Sequence, residues 1–531
     1  MSNNKRNLNA EQGVVRSMAI KIILLIVFFG TMIGVGIATR KHATNVNDFV
    51  LGGRGVGPWL TAFAYGTSYF SAVVFVGYAG QFGWKYGIAS TWIGIGNAFI
   101  GCLLAWVIMG RRTRIMTHKL KASTMPDFFG KRYNSNALKI AASVISFIFL
   151  IPYTASVYNG LSRLFTMAFD IPYTYCVIGM AVLTGIYVIV GGYMATAVND
   201  FIQGIIMIFG IIAVIAAVLN GQGGFMDAFI KLSQETDPSI TTGQQGVFTS
   251  FFGPDPLNLL GVIVLTSLGT WGLPQMVHKF YAIKNEHAIK TGTIVSLIFA
   301  IIVSGGCYFL GGFGRLFSDK VAVGANGAVA YDSIIPTMLS GLPDILIGIV
   351  IVLVLSASMS TLSSLVLTSS STLTLDFIKG NIIKKMSDKT QLLLMRIMIV
   401  FFIVISVVIA LDPPTFIAQL MGISWGALAG AFLAPFLYGL YWKKVTKAAV
   451  WASFAGGVGI TVGNMYFSFF NSPINAGAAA MILGLILVPV VSLITRNKDK
   501  ERIEEIFTCY NKKVEVTEKN VLTELDEENN A

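Results

Sequence analysis

Within a long apolar run the chain reads Ser356-Ala-Ser-Met-Ser-Thr-Leu-Ser-Ser364, and Thr368-Ser-Ser-Ser-Thr372 follows. At 3.6 residues per turn, Ala357, Ser360, Thr361 and Ser364 recur at i, i+3, i+4 and i+7 of one helix face. Ser363 flanks that stripe, one turn from Ser360. The face is a ladder of neutral oxygens. Sodium is a small, hard cation that takes several oxygen ligands. Hydroxyls, joined by carbonyls freed at a helix break, replace its water without an anionic cage. Binding of that kind stays reversible. Serines in membrane helices also bond to the carbonyls of the preceding turn or across helices, each for about 1 kcal/mol, so helix glue is the other reading of the same stripe.

A cation site of this type needs a partner with unpaired backbone. In lipid, backbone without helical hydrogen bonds is tolerated only where it is buried or lines a cavity. Two apolar stretches carry the signs of a break. One reads Ala64-Tyr-Gly-Thr-Ser-Tyr-Phe-Ser-Ala72 and the other Thr266-Ser-Leu-Gly-Thr-Trp-Gly-Leu-Pro274. The second ends in a proline, which removes a backbone donor. Both are expected to be discontinuous helices; the alternative is glycine packing notches and an ordinary proline kink. They lie five spans apart, which divides the middle of the chain into two five-helix repeats. An odd number of spans inverts one repeat relative to the other. Asp200, in Ala195-Thr-Ala-Val-Asn-Asp-Phe-Ile-Gln203, falls at the start of a span. A carboxylate there marks a functional site by default, with helix capping as its other role.

The elements that hold these residues are set by composition. The 531 residues are 54% hydrophobic and 12% charged, against about 25% charged in soluble domains, and the mean hydropathy is +0.71. Lipid is the solvent for most of the chain. The net charge of +12 does not point to nucleic acid, because the basic residues sit in short clusters between apolar runs. The four cysteines lie singly, and the four histidines form no ligand spacing. No nucleophile motif appears, so an enzyme is not expected. A helix needs about 20 residues to cross a bilayer core, which gives roughly thirteen candidate spans. They lie near 18–38, 57–80, 87–110, 138–166, 172–193, 196–220, 257–278, 289–316, 343–374, 391–411, 415–441, 446–470 and 476–495.

Basic joins carry Arg40, Lys41 and Arg54; Arg111, Arg112, Arg114, Lys119, Lys121, Lys131 and Arg132; Lys279, Lys284 and Lys290; Lys379, Lys384, Lys385 and Lys389; and Lys443, Lys444 and Lys447. All fall on one side, which the positive-inside rule assigns to the cytoplasm. The expected organisation is an extracellular N-tail (1–17) and a first helix with its cytoplasmic loop (18–56). A first repeat (57–220), an extracellular loop (221–256) and a second repeat (257–441) follow. Two further helices (442–495) and a charged cytoplasmic tail (496–531) complete it.

At this point the chain resembles the sodium:solute symporters, in particular the sodium/proline and pantothenate type. The resemblance rests on Asp48-Phe-Val-Leu-Gly-Gly-Arg54, Thr124-Met-Pro-Asp-Phe-Phe129, Gly191-Gly192 ahead of Asn199-Asp200, Met359-Ser-Thr-Leu-Ser363 and Trp425-Gly-Ala, spread between Asn47 and Lys444. It implies an all-α integral membrane protein of the leucine-transporter-like type, with two inverted five-helix repeats and alternating access driven by a sodium gradient. It further implies a sodium site at the carbonyls of Thr67, Phe70 and Ala357 and the hydroxyls of Ser360 and Thr361. The two-sodium pattern of some members places a second ion on Asp200, Ser360, Ser363 and Ser364.

A substrate pocket falls on Tyr69, Ser71, Tyr153, Thr266, Thr270 and Trp271, with Tyr158 and Gln275 nearby. Tyr153 matches a pocket tyrosine of the proline type. Tyr69 stands where that type has an acidic residue, and Thr266 and Thr270 where it has aromatics. The expected activity is symport of sodium with a small organic solute, an amino acid or small carboxylate, into the cell. The expected location is the plasma membrane, with the N-terminus outside and the C-terminus in the cytoplasm. Proton coupling through Asp200 and a membrane-embedded solute sensor are the alternatives.

Overall fold

The computed structural model describes residues 2–39, 45–324, 327–379, 381–383, 385–496 and 499–511, and every regular element among them is helical. Arg40, Lys41 and Lys384 of the basic joins, and the acidic close of the tail from 512 onward, lie outside the described residues. Among the described residues nine helices are long and apolar enough to cross a membrane, or ten when Pro256–Gly272 and Pro274–Tyr281 are taken as one bent span. The stretches at 57–80, 172–193 and 446–470, expected as spans of their own, are helical but shorter or less apolar. Expected spans 172–193 and 196–220 run together in Tyr173–Gly221, where Gly192 takes φ 58, ψ −163 and turns the chain. A glycine is suited to that position because a Cβ disfavours positive φ.

Polar residues placed just ahead of the apolar runs start many of these helices. The side chains of Ser135, Asn285, Ser387, Thr446 and Ser472 each accept a hydrogen bond from a first-turn amide, satisfying donors that no earlier turn can reach. The packing is layered from inside to lipid. In the Asp344–Thr372 helix every residue from Leu353 to Thr372 is buried, and it lies against Tyr173–Gly221 and Asn136–Phe169. The Asp388–Leu411 helix instead presents Leu393, Ile397, Val400, Val404 and Val408 outward, as a lipid-facing helix should.

The described part of the charged tail packs against the bundle. Lys500–Phe507 buries Ile503, Ile506 and Phe507. Lys443 pairs with Glu504 at 2.5 Å and Lys119 with Glu505 at 3.2 Å.

Small residues let helix backbones touch. A Cβ on Gly83 would lie 2.0 Å from the Gly311 carbonyl oxygen, and one on Gly311 2.1 Å from that of Ala79. Neither neighbour is a side chain that could swing away. Gly83→Ala is therefore expected to force Ala79–Tyr86 off Gly306–Gly311 and to destabilise by about 1–3 kcal/mol or more. Gly305→Ala, with nothing within 4 Å, is the matched control. A melting temperature of Gly83→Ala equal to that of the control would refute the close approach.

Candidate functional site

Both expected helix breaks are present. Pro58–Tyr69 stops at Phe70, whose backbone is extended at φ −103, ψ 123, and helical turns resume at Val73. Pro256–Gly272 stops at Leu273 (φ −81, ψ 122), and Pro274–Tyr281 leaves at 45°. Pro274 stands at the first position of the new helix, where a missing N–H costs nothing. Each break frees carbonyls on one side and amides on the other.

The hydroxyl helix faces the first break. The Ser360 hydroxyl donates to the Thr67 carbonyl at 2.9 Å and lies 3.2 Å from that of Ala357. Thr361 Oγ1 lies 3.1 Å from the Ala357 carbonyl, 3.3 Å from Phe70, 3.4 Å from Thr67 and 3.5 Å from Ser68. One hydroxyl cannot serve four acceptors, since it has a single proton. The excess of acceptors over protons gives this cluster its chemistry: two hydroxyls meet four carbonyls, and those of Thr67, Phe70 and Ala357, the three nearest Thr361, join the hydroxyls as oxygens able to turn a lone pair to a small cation. Both Ser360 and Thr361 are fully buried. In contrast, Ser363 donates back to the Ser360 carbonyl at 2.9 Å, in the manner of ordinary helix glue.

Asp200 and Ser364 are brought together through Lys279. Its ammonium nitrogen is 3.0 Å from Ser364 Oγ and 3.5 Å from Asp200 Oδ2, with the side chains 3% and 0% exposed for Lys279 and Asp200. This corrects the placement of Lys279 in a basic cytoplasmic join. It belongs instead to the last turn of the Pro274–Tyr281 helix and is interior. Composition could not separate it from Lys284 and Lys290, because all three follow a proline-broken apolar stretch. Its four-residue spacing from Gln275, on the same short helix, was the available signal.

Of the expected pocket residues, Tyr69 ends the helix before the first break, and Thr266, Thr270 and Trp271 lie in the helix before the second. The Tyr69 hydroxyl donates to the Thr266 carbonyl at 2.7 Å, linking them directly. Thr270 donates to the carbonyls of Gly101 (3.0 Å) and Ser267 (2.9 Å), and the Trp271 indole to Ile100 at 3.0 Å. Thr266 Oγ1 donates to Val262 at 2.9 Å. These three side chains have partners within the protein. Ser71 Oγ accepts the Val73 amide at 3.2 Å, holding the restart of the broken helix.

Trp425, which motif reading had not placed in the pocket, stacks 5.8 Å from the Tyr69 ring and meets Tyr153 edge-on at 5.8 Å. Among the described residues its buried indole N–H finds no partner, and neither polar atom of the buried Gln275 amide does. Buried polar groups are normally paired, so both are available to a solute.

The two ends of the bundle differ. At one end the Asp48–Arg54 and Thr124–Phe129 motifs act as staples. Arg54 donates to the Ala122 carbonyl at 2.5 Å, the Val56 amide donates to the Ala282 carbonyl at 3.2 Å, and the Val56 carbonyl accepts from the Lys284 amide at 3.1 Å. Thr124 bonds Asp376 at 2.5 Å, and Lys139 bridges Asp376 (3.2 Å) and Asp127 (3.0 Å). At the other end a cavity of about 400 Å³ opens among Gln81, Lys85, Asp255, Asn258, Gln419 and Asn475. Its wall includes Val262, one turn above Thr266.

A helical membrane bundle with two broken helices meeting a hydroxyl-rich helix, open at one end and stapled at the other, is the architecture of a secondary transporter. The chain belongs to the sodium:solute symporter family, whose model matches residues 49–456. Over 492 residues it is 28% identical to the osmoregulated proline transporter OpuE of Bacillus subtilis (strain 168), covering 91% of this chain and 96% of that one. It is 29% identical over 452 residues to the sodium/proline symporter of Staphylococcus aureus (strain JH9), covering 83% and 85%. Among solved structures, that of a Na+-coupled sialic acid symporter in a substrate-bound outward-open state superposes with a TM-score of 0.73. The identity is 16%, over 90% of this chain and 98% of that one; this likeness is one of fold. The chain is a sodium-coupled solute symporter of the membrane, with Na+ as the coupling ion and no role as an enzyme.

Proposed function

We propose that the chain carries a small zwitterionic solute, an amino acid in the first instance, into the cell with sodium, and that Thr67, Phe70, Ala357, Ser360 and Thr361 hold the ion. The observation that carries the ion site is the convergence of three carbonyls on two hydroxyls at the first break, each carbonyl within 3.5 Å of the Thr361 hydroxyl and that of Thr67 also 2.9 Å from Ser360. Solute class follows from the two breaks together. Each presents a carbonyl end, which suits an ammonium, and an amide end, which suits a carboxylate. Tyr69, Tyr153 and Trp425 supply an apolar wall, and Ser71, Thr266, Thr270 and Trp271 complete the proposed pocket.

Proline is the first solute to try, because the relatives named above carry it in their descriptions. Small carboxylates come second. The proposed orientation puts the stapled end and the C-terminus in the cytoplasm, following the basic joins, and the cavity end and N-terminus outside. Coupling to protons through Asp200 is disfavoured by the lysine already paired with it.

Reconstituted proteoliposomes test this. Radiolabelled proline, other amino acids and small carboxylates are offered under an inward sodium gradient and, separately, with choline. Accumulation of at least one amino acid above the equilibrium level with sodium only is expected. Equal uptake in choline, or accumulation driven by a pH gradient alone, would sink the sodium-coupled reading.

A further inference from the structure

A single charged side chain stands where the two-sodium pattern would put an ion. Lys279 Nζ lies 3.0 Å from Ser364 Oγ and 3.5 Å from Asp200 Oδ2, and 5.3 Å from the centre of the Tyr193 ring. The polarity of the surrounding bonds follows from proton count. Ser68 Oγ donates to the Ala64 carbonyl at 2.6 Å, so in its 2.9 Å contact with Ser364 it must accept. Ser364 has then spent its proton on Ser68, and the lone pairs left to it face the ammonium, which only donates. The chain of bonds runs from Lys279 to Ser364 to Ser68 to Ala64 in one direction. With its proton spent on Ser68, Ser364 Oγ already accepts from a cation that belongs to the protein.

We infer that the Lys279 ammonium is a built-in cation that fills the Asp200–Ser364 position, so that this chain binds and couples one sodium ion per cycle rather than two. This rests on the proposed sodium site at Ser360 and Thr361. Charge supports it. Asp200 and Lys279 cancel, and a sodium ion added beside them would be uncompensated. Position supports it too. Ser364 is one helical turn from Ser360 and Thr361, and Ser68 joins the two places. Its carbonyl lies 3.5 Å from Thr361 Oγ1 while its hydroxyl touches Ser364. The tethered charge is thus fixed beside the ion that is transported, and it moves only as Pro274–Tyr281 moves.

The experiment is equilibrium binding of radioactive sodium to the purified full-length protein in detergent, which needs no solute. The wild type is expected to bind one sodium per chain with a Hill slope of one, unchanged in Ser364→Ala. Lys279→Met, which vacates the position and leaves Asp200, is expected to bind two with a slope rising toward two, and Asp200→Asn/Lys279→Met to return to one. Two sodium ions per wild-type chain, one of them lost in Ser364→Ala, would overturn the inference while leaving sodium coupling intact. A folded Lys279→Met that still binds one sodium would overturn it as well. No sodium bound to the wild type would bring down the sodium site itself, and the inference with it. Should Lys279→Met fail to fold, the wild-type count alone decides between one and two.

Discussion

Asp200→Ala is expected to lower the melting temperature of the purified transporter by roughly 5–10 °C, the fall that corresponds to removing one partner from a buried ion pair, about 3–5 kcal/mol. The pair sits where neither member is reached by water: the two side chains are 0% and 3% exposed. With the carboxylate gone, Lys279 keeps only the Ser364 oxygen and the Tyr193 ring as partners. An ammonium so placed has lost its counter-charge and gained no water. Breaking such a pair costs far more than the pair contributed, whereas removing both charges is often close to neutral. Asp200→Ala/Lys279→Met should therefore recover most of the loss, and that recovery separates a charge effect from a cavity effect. A double variant as unstable as Asp200→Ala would mean that Asp200 acts through its shape or its packing. A single variant within 1 °C of wild type would mean that the ion pair is not present in solution.

What the sequence made legible follows from which signals are local. The Ser356–Ser364 stripe was readable because helical spacing alone puts Ala357, Ser360 and Thr361 on one face, and that face meets Thr67 and Phe70. The breaks were readable because Gly66 and Pro274 announce them. The count of spans was less so. The division of 172–220 near 193 coincides with the turn at Gly192, whereas the expected span 57–80 is split at Phe70 and its second part runs on toward Lys119. Lys279 was misplaced because a lysine shortly after an apolar stretch is usually a loop residue, and only the three-dimensional approach of Asp200, 79 residues away, makes it interior. Trp425 was visible as part of a motif. Its contact with Tyr69 and Tyr153 joins helices hundreds of residues apart in sequence, which no periodicity reports. Ser363 differs from Ser360 and Thr361, which also reach across to the first break. It had the right type and nearly the right spacing, yet its hydroxyl turns back to its own helix.

Sodium binding should all but vanish in Ser360→Ala/Thr361→Ala. Of the five oxygens that converge across the first break, these two are the only ones a side-chain substitution can remove, since Thr67, Phe70 and Ala357 contribute backbone carbonyls. A contact between a hydroxyl and a charged group is worth about 1.5–3 kcal/mol when buried, and each 1.4 kcal/mol is tenfold in affinity. Each single alanine variant should thus weaken sodium binding roughly 10- to 100-fold, and the pair together roughly 100- to 10,000-fold. Thr361→Ser keeps the oxygen and should stay near wild type, which a loss of packing at the threonine methyl would not allow. Ser371→Ala supplies the control, because that serine is buried in the same helix with its hydroxyl unpaired, two to three turns beyond the converging oxygens. Sodium titrations followed by radioactive sodium binding read all five variants without a solute. If the double variant bound sodium within threefold of wild type, the ion would have to be held elsewhere, and the converging oxygens would be what single membrane serines usually are, hydrogen bonds that tie one helix to the next.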